Sequence, residues 1–388
     1  MYLTPEKRMN MATFKDTENQ YNTVPQLVES VKNTIHNQKI VLETDPLDIP
    51  KTEFDSFPAV SVTNFSTLGA AFNHRGEKTC ILNFASFTMP GGGVAMGMHA
   101  QEESICLVST LRACLQDKKC KKQYYDYHRT LELPEHNDDI IYSPDVTVFK
   151  HPDQLEPKML KESDWLNVDI LSCAAPSLSD HPSNKANPHC GTVPLRISRA
   201  DLFEMLKKRY KRIFEVAHME GTETLILGAF GCGVFKNPPE LVAEAFKSVI
   251  SEYGKWFKNI EFAILGSKSS ENYTAFAEAF SGADFVNYVE PKMKSPVIST
   301  EPEEPEPEKV TLPDYTSQKV THKIFGSGII QHFDGTHLTI DFEDAGNKTL
   351  DFVFSFSGPM HLINEELDKE AYGIAELAKV RKEWERKR

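Results

Sequence analysis

Thr224-Leu225-Ile226-Leu227-Gly228-Ala229-Phe230-Gly231-Cys232-Gly233-Val234-Phe235-Lys236-Asn237-Pro238-Pro239-Glu240 decides how this chain folds. An apolar strand runs into a glycine loop, and the loop runs into a helix start. Asn237 reads as the N-cap, Pro238 as the first helical residue and Glu240 as the partner in a capping-box-like arrangement. A glycine loop between a strand end and a helix N-terminus presents backbone N–H groups to an anion. The loop lacks the Gly-Lys-Ser/Thr ending of a nucleotide triphosphatase and the Gly-x-Gly-x-x-Gly spacing of a dinucleotide oxidoreductase. A diphosphate held by main chain alone is the better fit.

Outward from this stretch, short apolar runs alternate with stretches of helical period. Strands are expected at 39–43, 59–63, 79–84, 168–173, 224–228 and 260–265, with helices at 24–36, 102–116, 199–218, 238–253 and 273–280. Such alternation implies an α/β fold, a sheet covered by helices on both faces.

A second glycine motif follows the strand ending Ile81-Leu82-Asn83-Phe84. It reads Met89-Pro90-Gly91-Gly92-Gly93, then Gln101-Glu102-Glu103-Ser104. Three consecutive glycines give up side-chain packing and cost backbone entropy, so something approaches that backbone closely, and a ligand is the natural candidate. Ile105, Val108, Leu111 and Leu115 share one helical face, which puts Glu102 and Glu103 in the first turn of a helix. Carboxylates there also complement the helix dipole without any chemistry. His99, two residues before Gln101, has no evident partner and reads as solvent-facing or structural.

Together these motifs resemble the microbial type of poly(ADP-ribose) glycohydrolase, a macrodomain family whose signature is Gly-Gly-Gly, a short spacer and Gln-Glu-Glu. The likeness spans roughly residues 10–285, including an N-terminal helical extension. It implies a macrodomain-like mixed sheet between helices and hydrolysis of the ribose–ribose bond of poly(ADP-ribose) to ADP-ribose. Removal of single ADP-ribose units from protein or nucleobase, or binding of ADP-ribose without cleavage, would use the same pocket. By the resemblance Glu103 is the acid/base carboxylate and Glu102 orients the ribose whose C1″ is attacked. The implied substrate contacts are Asn83, Gly91, Gly92, Gly93, Val94 and Gln101 from one loop. Gly228, Ala229, Phe230, Gly231, Cys232, Gly233, Val234 and Phe235 come from the other. Asn83 either ligates a hydroxyl or satisfies loop backbone. No cofactor and no metal are implied.

Composition bounds the rest. The chain has 388 residues and a formal charge of −13, which argues against sequence-independent binding of nucleic acid over its whole surface. Seven scattered cysteines without a Cys-x-x-Cys pair argue against a disulfide framework or zinc site. No apolar stretch reaches the roughly 20 residues of a bilayer span and residues 1–20 carry no apolar signal core, so no membrane partner and a cytoplasmic location are expected.

The expected domains are 1–288, an acidic Pro/Glu linker at 289–313, and 314–388. The last begins with alternating residues punctuated by Phe325-Gly326-Ser327-Gly328, Asp334-Gly335 and Ala345-Gly346-Asn347. It resembles the SH3/Tudor-like barrel at the C-terminus of certain bacterial DNA helicases, followed by a helical stretch ending in basic 379–388. The resemblance implies docking to a protein or nucleic-acid partner.

Overall fold

The computed structural model describes residues 4–281, 313–356 and 358–375. Its contacts divide the chain into two units, Met1–Glu301 and Pro302–Arg388. The Pro/Glu stretch and the basic tail fall outside the described residues.

The first unit is a seven-stranded mixed sheet in the order β1-β4-β5-β3-β6-β7-β2. Its strands are β1 (Lys39–Val41), β2 (Ala59–Thr63), β3 (Thr79–Phe84), β4 (Ile140–Val148), β5 (Leu166–Cys173), β6 (Thr224–Leu227) and β7 (Asn259–Ala263). From β5 through β2 neighbouring strands are parallel, while β4 runs antiparallel to both β1 and β5. Side chains alternate between faces, and two cores result. Cys80 and Leu82 of β3 join Leu225, Leu227, Phe262, Tyr210 and Phe246 on one face. Ile81 joins Ile226, Ile170, Ile141, Ile105 and Leu111 on the other.

The helices are α1 (Pro5–Thr23), α2 (Pro25–Asn37), α3 (Thr67–Asn73), α4 (Gln101–Val108), α5 (Leu111–Leu115), the short α6 (Lys118–Cys120) and α7 (Asp126–Leu131), α8 (Arg199–Met219), α9 (Pro239–Tyr253) and α10 (Glu271–Phe280). α8 shows why such segments become helices. Ser198 caps its start by accepting from Asp201 N, and Leu202, Leu206, Tyr210, Ile213, Phe214 and Ala217 make one buried face at helical spacing.

Four expectations need correction. β4 was not expected as a strand, because Pro144 in its middle cannot donate to a ladder. The sheet accommodates it with a register shift between Ser143 and Val146, where Asp145 has φ 51°. The helix expected over 102–116 breaks at Ser109-Thr110. There the missed strand draws the chain in: Ser109 bridges Val148, Phe149 N donates to Val108 O and Thr110 N donates to Thr147 O. A further helix, α1, precedes the one expected at 24–36. It seats Thr17 Oγ1 on Leu107 O and receives the buried Lys150 Nζ on Asp16 Oδ2 at 2.7 Å. Lastly, α9 starts one residue late, with Pro238 as N-cap, so Asn237 is not the cap.

The second unit is a five-stranded antiparallel sheet in the order β11-β10-β9-β8-β12. It comprises β8 (Lys319–His322), β9 (Gly326–Phe333), β10 (His337–Phe342), β11 (Gly346–Asp351) and β12 (Met360–Leu362), with α11 (Phe352–Phe356). Val320, Ile330, Leu338, Ile340 and Phe342 form its core with Tyr315, Phe352 and Phe356. Residues 365–375 are helical.

Gly97 ties the N-terminal helix to the glycine motif. It has φ +70°, and a Cβ placed on it would lie 2.3 Å from Lys7 O. Gly97→Ala should therefore cost about 2 kcal/mol or more in stability, read as a lowered denaturation midpoint, because strain and a backbone clash add. An unchanged midpoint would refute this account of α1 packing.

Candidate active site

β3 and β6 are parallel neighbours, so the loops leaving their C-terminal ends emerge side by side. The mouth of a parallel sheet is the ordinary place for a ligand crevice. Here it holds a cavity of about 580 Å³ lined by Gly92, Gln101, Glu102, Glu103, Ala229, Phe230, Gly231, Gly233, Val234 and Phe235 among others. These two motifs lie more than a hundred residues apart in sequence, and the sheet brings them to one wall.

The α4 start is built around its carboxylates. Gln101 is fully engaged: its oxygen accepts from Phe84 N at 2.8 Å, and its nitrogen donates to Leu82 O at 2.8 Å and Thr67 Oγ1 at 3.1 Å. It fastens the helix to the β3 end rather than offering its amide to a ligand. Glu103 accepts from Gly93 N at 2.7 Å and from Ala100 N at 3.0 Å, one bond on each oxygen. Glu102 accepts from Ser86 N at 2.7 Å and, more weakly, from Asn83 Nδ2 at 3.4 Å.

Both carboxyls are buried, at 3% exposure for Glu102 and 6% for Glu103. Burial, then the neighbouring Glu103 charge, pushes the Glu102 carboxyl up to about 8, against the pull of the Ser86 N–H, Asn83 and Arg112. Glu103 holds two main-chain N–H donors, and Glu102 is the carboxyl whose burial favours keeping a proton.

The glycine triplet serves these carboxylates directly. A Cβ on Gly92 would lie 2.4 Å from Glu103 Oε1 and 3.1 Å from Glu102 Oε2. One on Gly91 would meet Arg112 Cδ at 2.4 Å, and one on Gly93 would meet Met98 Cγ at 2.5 Å. What approaches this backbone closely is therefore the protein itself. The N–H groups are spent too: Gly92 N on Met89 O, Gly93 N on Glu103, Val94 N on Gly91 O.

The second loop is the opposite case. Among the described residues, the N–H groups of Gly231, Gly233, Val234 and Phe235 have no protein acceptor, while Gly231, at φ +78°, hands its carbonyl to Asn237 N and Nδ2, both at 3.1 Å. Asn237 also donates to Pro176 O at 2.8 Å, and a Cβ on Gly231 would strike Asn237 Nδ2 at 2.5 Å. Its work is to bolt the loop. Four uncommitted N–H groups on a cavity wall are a receptor for anionic oxygens.

The remaining sequence candidates stand back from the cavity. Asn83 is fully buried, its Nδ2 donating to Ser172 Oγ and to Glu102, and its Oδ1 has no partner among the described residues. Val94 packs in the core, Gly91 and Gly93 lie behind the wall, and Gly228 is pressed against Ala263 O. Cys232 packs on the core beside the loop. His99 is exposed at the rim.

Sequence reading missed the lining residues Asn184, Ala186 and Asn187, in a segment without regular structure. Its signal was the Asn184-to-Pro188 cluster: Asn184 Oδ1 accepts from Ala186 N and Asn187 N, and Asn187 Oδ1 accepts from Ser86 Oγ at 2.7 Å. Arg112 was also missed.

Residues 7–151 match the family model of the microbial-type poly(ADP-ribose) glycohydrolase catalytic domain. Solved structures of poly(ADP-ribose) glycohydrolases extend the likeness beyond those residues. The enzyme from Thermomonospora curvata is 26% identical with a TM-score of 0.58, over 70% of this chain and 100% of that one. The same enzyme bound to the inhibitor ADP-HPD is 27% identical, TM-score 0.56, over 70% and 99%. The Deinococcus radiodurans enzyme in complex with ADP-ribose is 25% identical, TM-score 0.52, over 65% and 96%. A search of curated proteins gave no match. The poly(ADP-ribose) glycohydrolase match contains the glycine triplet and both glutamates, and the second loop lies outside its residues.

The Glu102 environment makes a testable linkage. A carboxyl raised from its ordinary 4.5 to about 8 in the folded state makes the fold bind an extra proton between those values. Its contribution is fully present below about pH 4.5 and lost as pH rises through 8. Glu102→Gln, which cannot ionise, should gain on wild type across that window by an amount on the order of 1–3 kcal/mol. Urea denaturation at pH 5 and 9 measures the difference, and a pH-independent gap would show Glu102 to be ionised throughout.

Proposed function

We propose that this chain hydrolyses the ribose–ribose O-glycosidic bond of poly(ADP-ribose) and releases ADP-ribose. The observation that carries the reading is the pairing, on one cavity wall, of two buried carboxyls with a loop of four uncommitted N–H groups. The loop binds the diphosphate of ADP-ribose, Phe235 packs on the distal ribose, and the bond to be broken faces Glu102-Glu103.

Cleavage through an oxocarbenium-like state needs a proton for the leaving oxygen and a deprotonated water for C1″. Glu103 gives its proton to the departing 2′-oxygen as the C1″–O bond breaks, then takes one from the water that attacks C1″. The carboxyl pair supplies that proton, because burial keeps one proton on it well above the ordinary carboxylate range. Glu102 holds the ribose on which C1″ lies. The macrodomain reading of the first unit and its cytoplasmic location belong to the same proposal.

The second unit is, in this reading, an SH3/Tudor-like docking module for a protein partner. Its described surface favours protein over nucleic acid: Lys319, Lys323, Lys348 and Lys369 are outnumbered by carboxylates such as Asp334, Asp341, Glu343, Asp344, Glu365 and Glu366.

Glu103→Gln should lower release of ADP-ribose from the polymer by about 10²- to 10⁴-fold while ADP-ribose affinity, measured by calorimetry, stays within a few-fold. Hydrolysis near the wild-type rate would remove Glu103 from the chemistry. Polymer, ADP-ribosylated protein and ADP-ribosylated DNA assayed side by side separate chain cleavage from release of single units, and binding without release from all three leaves a binding module. Gly231→Ala should weaken ADP-ribose binding roughly tenfold, since the loop must move off Asn237 to admit a methyl group.

A further inference from the structure

We propose that Arg112 is the positioning residue of this site: its cationic charge, held behind the glycine triplet, sets the protonation of the Glu102-Glu103 pair. The inference rests on the reading of those carboxyls as the reacting groups.

The geometry is compact. Gly91 abuts the Arg112 stem, with Cδ and Nε 2.4 and 3.1 Å from where a Cβ would be, and Cys106 Sγ at 3.1 Å. Gly92, the next residue, abuts both carboxylates. Consecutive Cα atoms are about 3.8 Å apart, so the Arg112 stem and the two carboxylates pack against neighbouring glycines of one turn. The break after Val108 makes this possible, because it redirects α5 and brings Arg112 under the turn.

Arg112 has no carboxylate of its own. It forms no ion pair among the described residues, its Nε is buried without a partner, and its terminal nitrogens lie 2.7 and 3.0 Å from the Gln116 carboxamide oxygen. A guanidinium keeps its charge at any working pH. Its field therefore falls on the pair, where it opposes the burial that holds Glu102 protonated. The other titratable groups near the pair are Glu103 itself, Cys106, Tyr124 and Tyr125, and Tyr21 packs near Arg112 from α1. Burial pushes all of these thiol and phenol groups upward, so they stay neutral while the carboxyls titrate. Of the groups named, Arg112 carries the positive charge, and it lowers the pH at which Glu102 gives up its proton against the larger effects of burial and Glu103.

The test compares Arg112→Gln and Arg112→Lys with wild type. In the pH profile of ADP-ribose release, loss of the pair's proton forms the alkaline limb. Arg112→Gln should move that limb up by about one pH unit, and Arg112→Lys should return it toward wild type. A limb unmoved in Arg112→Gln, with activity lowered equally at all pH values, overturns the proposal in favour of packing alone.

Thermal denaturation from pH 5.5 to 9 needs no activity. Stability lost by Arg112→Gln should grow with pH, because the guanidinium attracts only ionised carboxyls. A loss independent of pH refutes the proposal even if the variant folds poorly. An inactive wild type would end the hydrolase reading, and the thermal measurement would then decide the role of Arg112 by itself.

Discussion

Glu102 and Glu103 lie against the bare Cα of Gly92, and the rest of the site is arranged around that contact. Two adjacent carboxyls cannot be buried without donors, a path for the backbone around them, and an answer to their mutual repulsion. Ser86 N, Gly93 N and Ala100 N supply the donors. The triplet supplies the path, since Gly91 and Gly92 both have positive φ and neither has room for a methyl group. Retention of a proton by Glu102 supplies the answer. Gln101 then fixes the whole arrangement to the end of β3, and α1 braces it from outside through Gly97.

The sheet explains why two distant loops cooperate. β3 and β6 hydrogen-bond directly, and the loops after them diverge in what they do with their N–H groups. One consumes its donors internally to hold carboxylates, and the other keeps its donors uncommitted because Asn237 takes the carbonyl of Gly231 instead. Glycine serves opposite ends in the two places: closeness to the protein's own side chains in the first, an exposed run of amides in the second.

Much of this was legible in the residues. Periodicity located six of the seven strands of the first unit and most of the helices, and the two motifs pointed to the two loops that line the cavity. What stayed hidden was decided by tertiary contact. Pro144 disguised β4, because a bulge that tolerates proline leaves no local mark. The same strand broke the helix expected over 102–116, so Arg112 could not be seen to turn back under Gly91. For Asn83, Gln101 and Val94 the sequence could not show their surroundings: Val94 and Asn83 are buried, and Gln101 is bonded to the β3 end while lining the cavity. The Asn184–Asn187 wall lies in a loop with no periodicity to read.

The division of labour between the loops also bears on how such a protein can change over generations. Under the proposed function, affinity for an anionic ligand rests on main-chain N–H groups of one loop, which most side-chain substitutions leave in place. Bond-breaking rests on carboxyls on the other, where one substitution would remove it. Descendants of this fold can therefore shed catalysis in a single step and keep their ligand, while regaining it requires rebuilding a buried charged pair with its glycines, donors and counter-cation together.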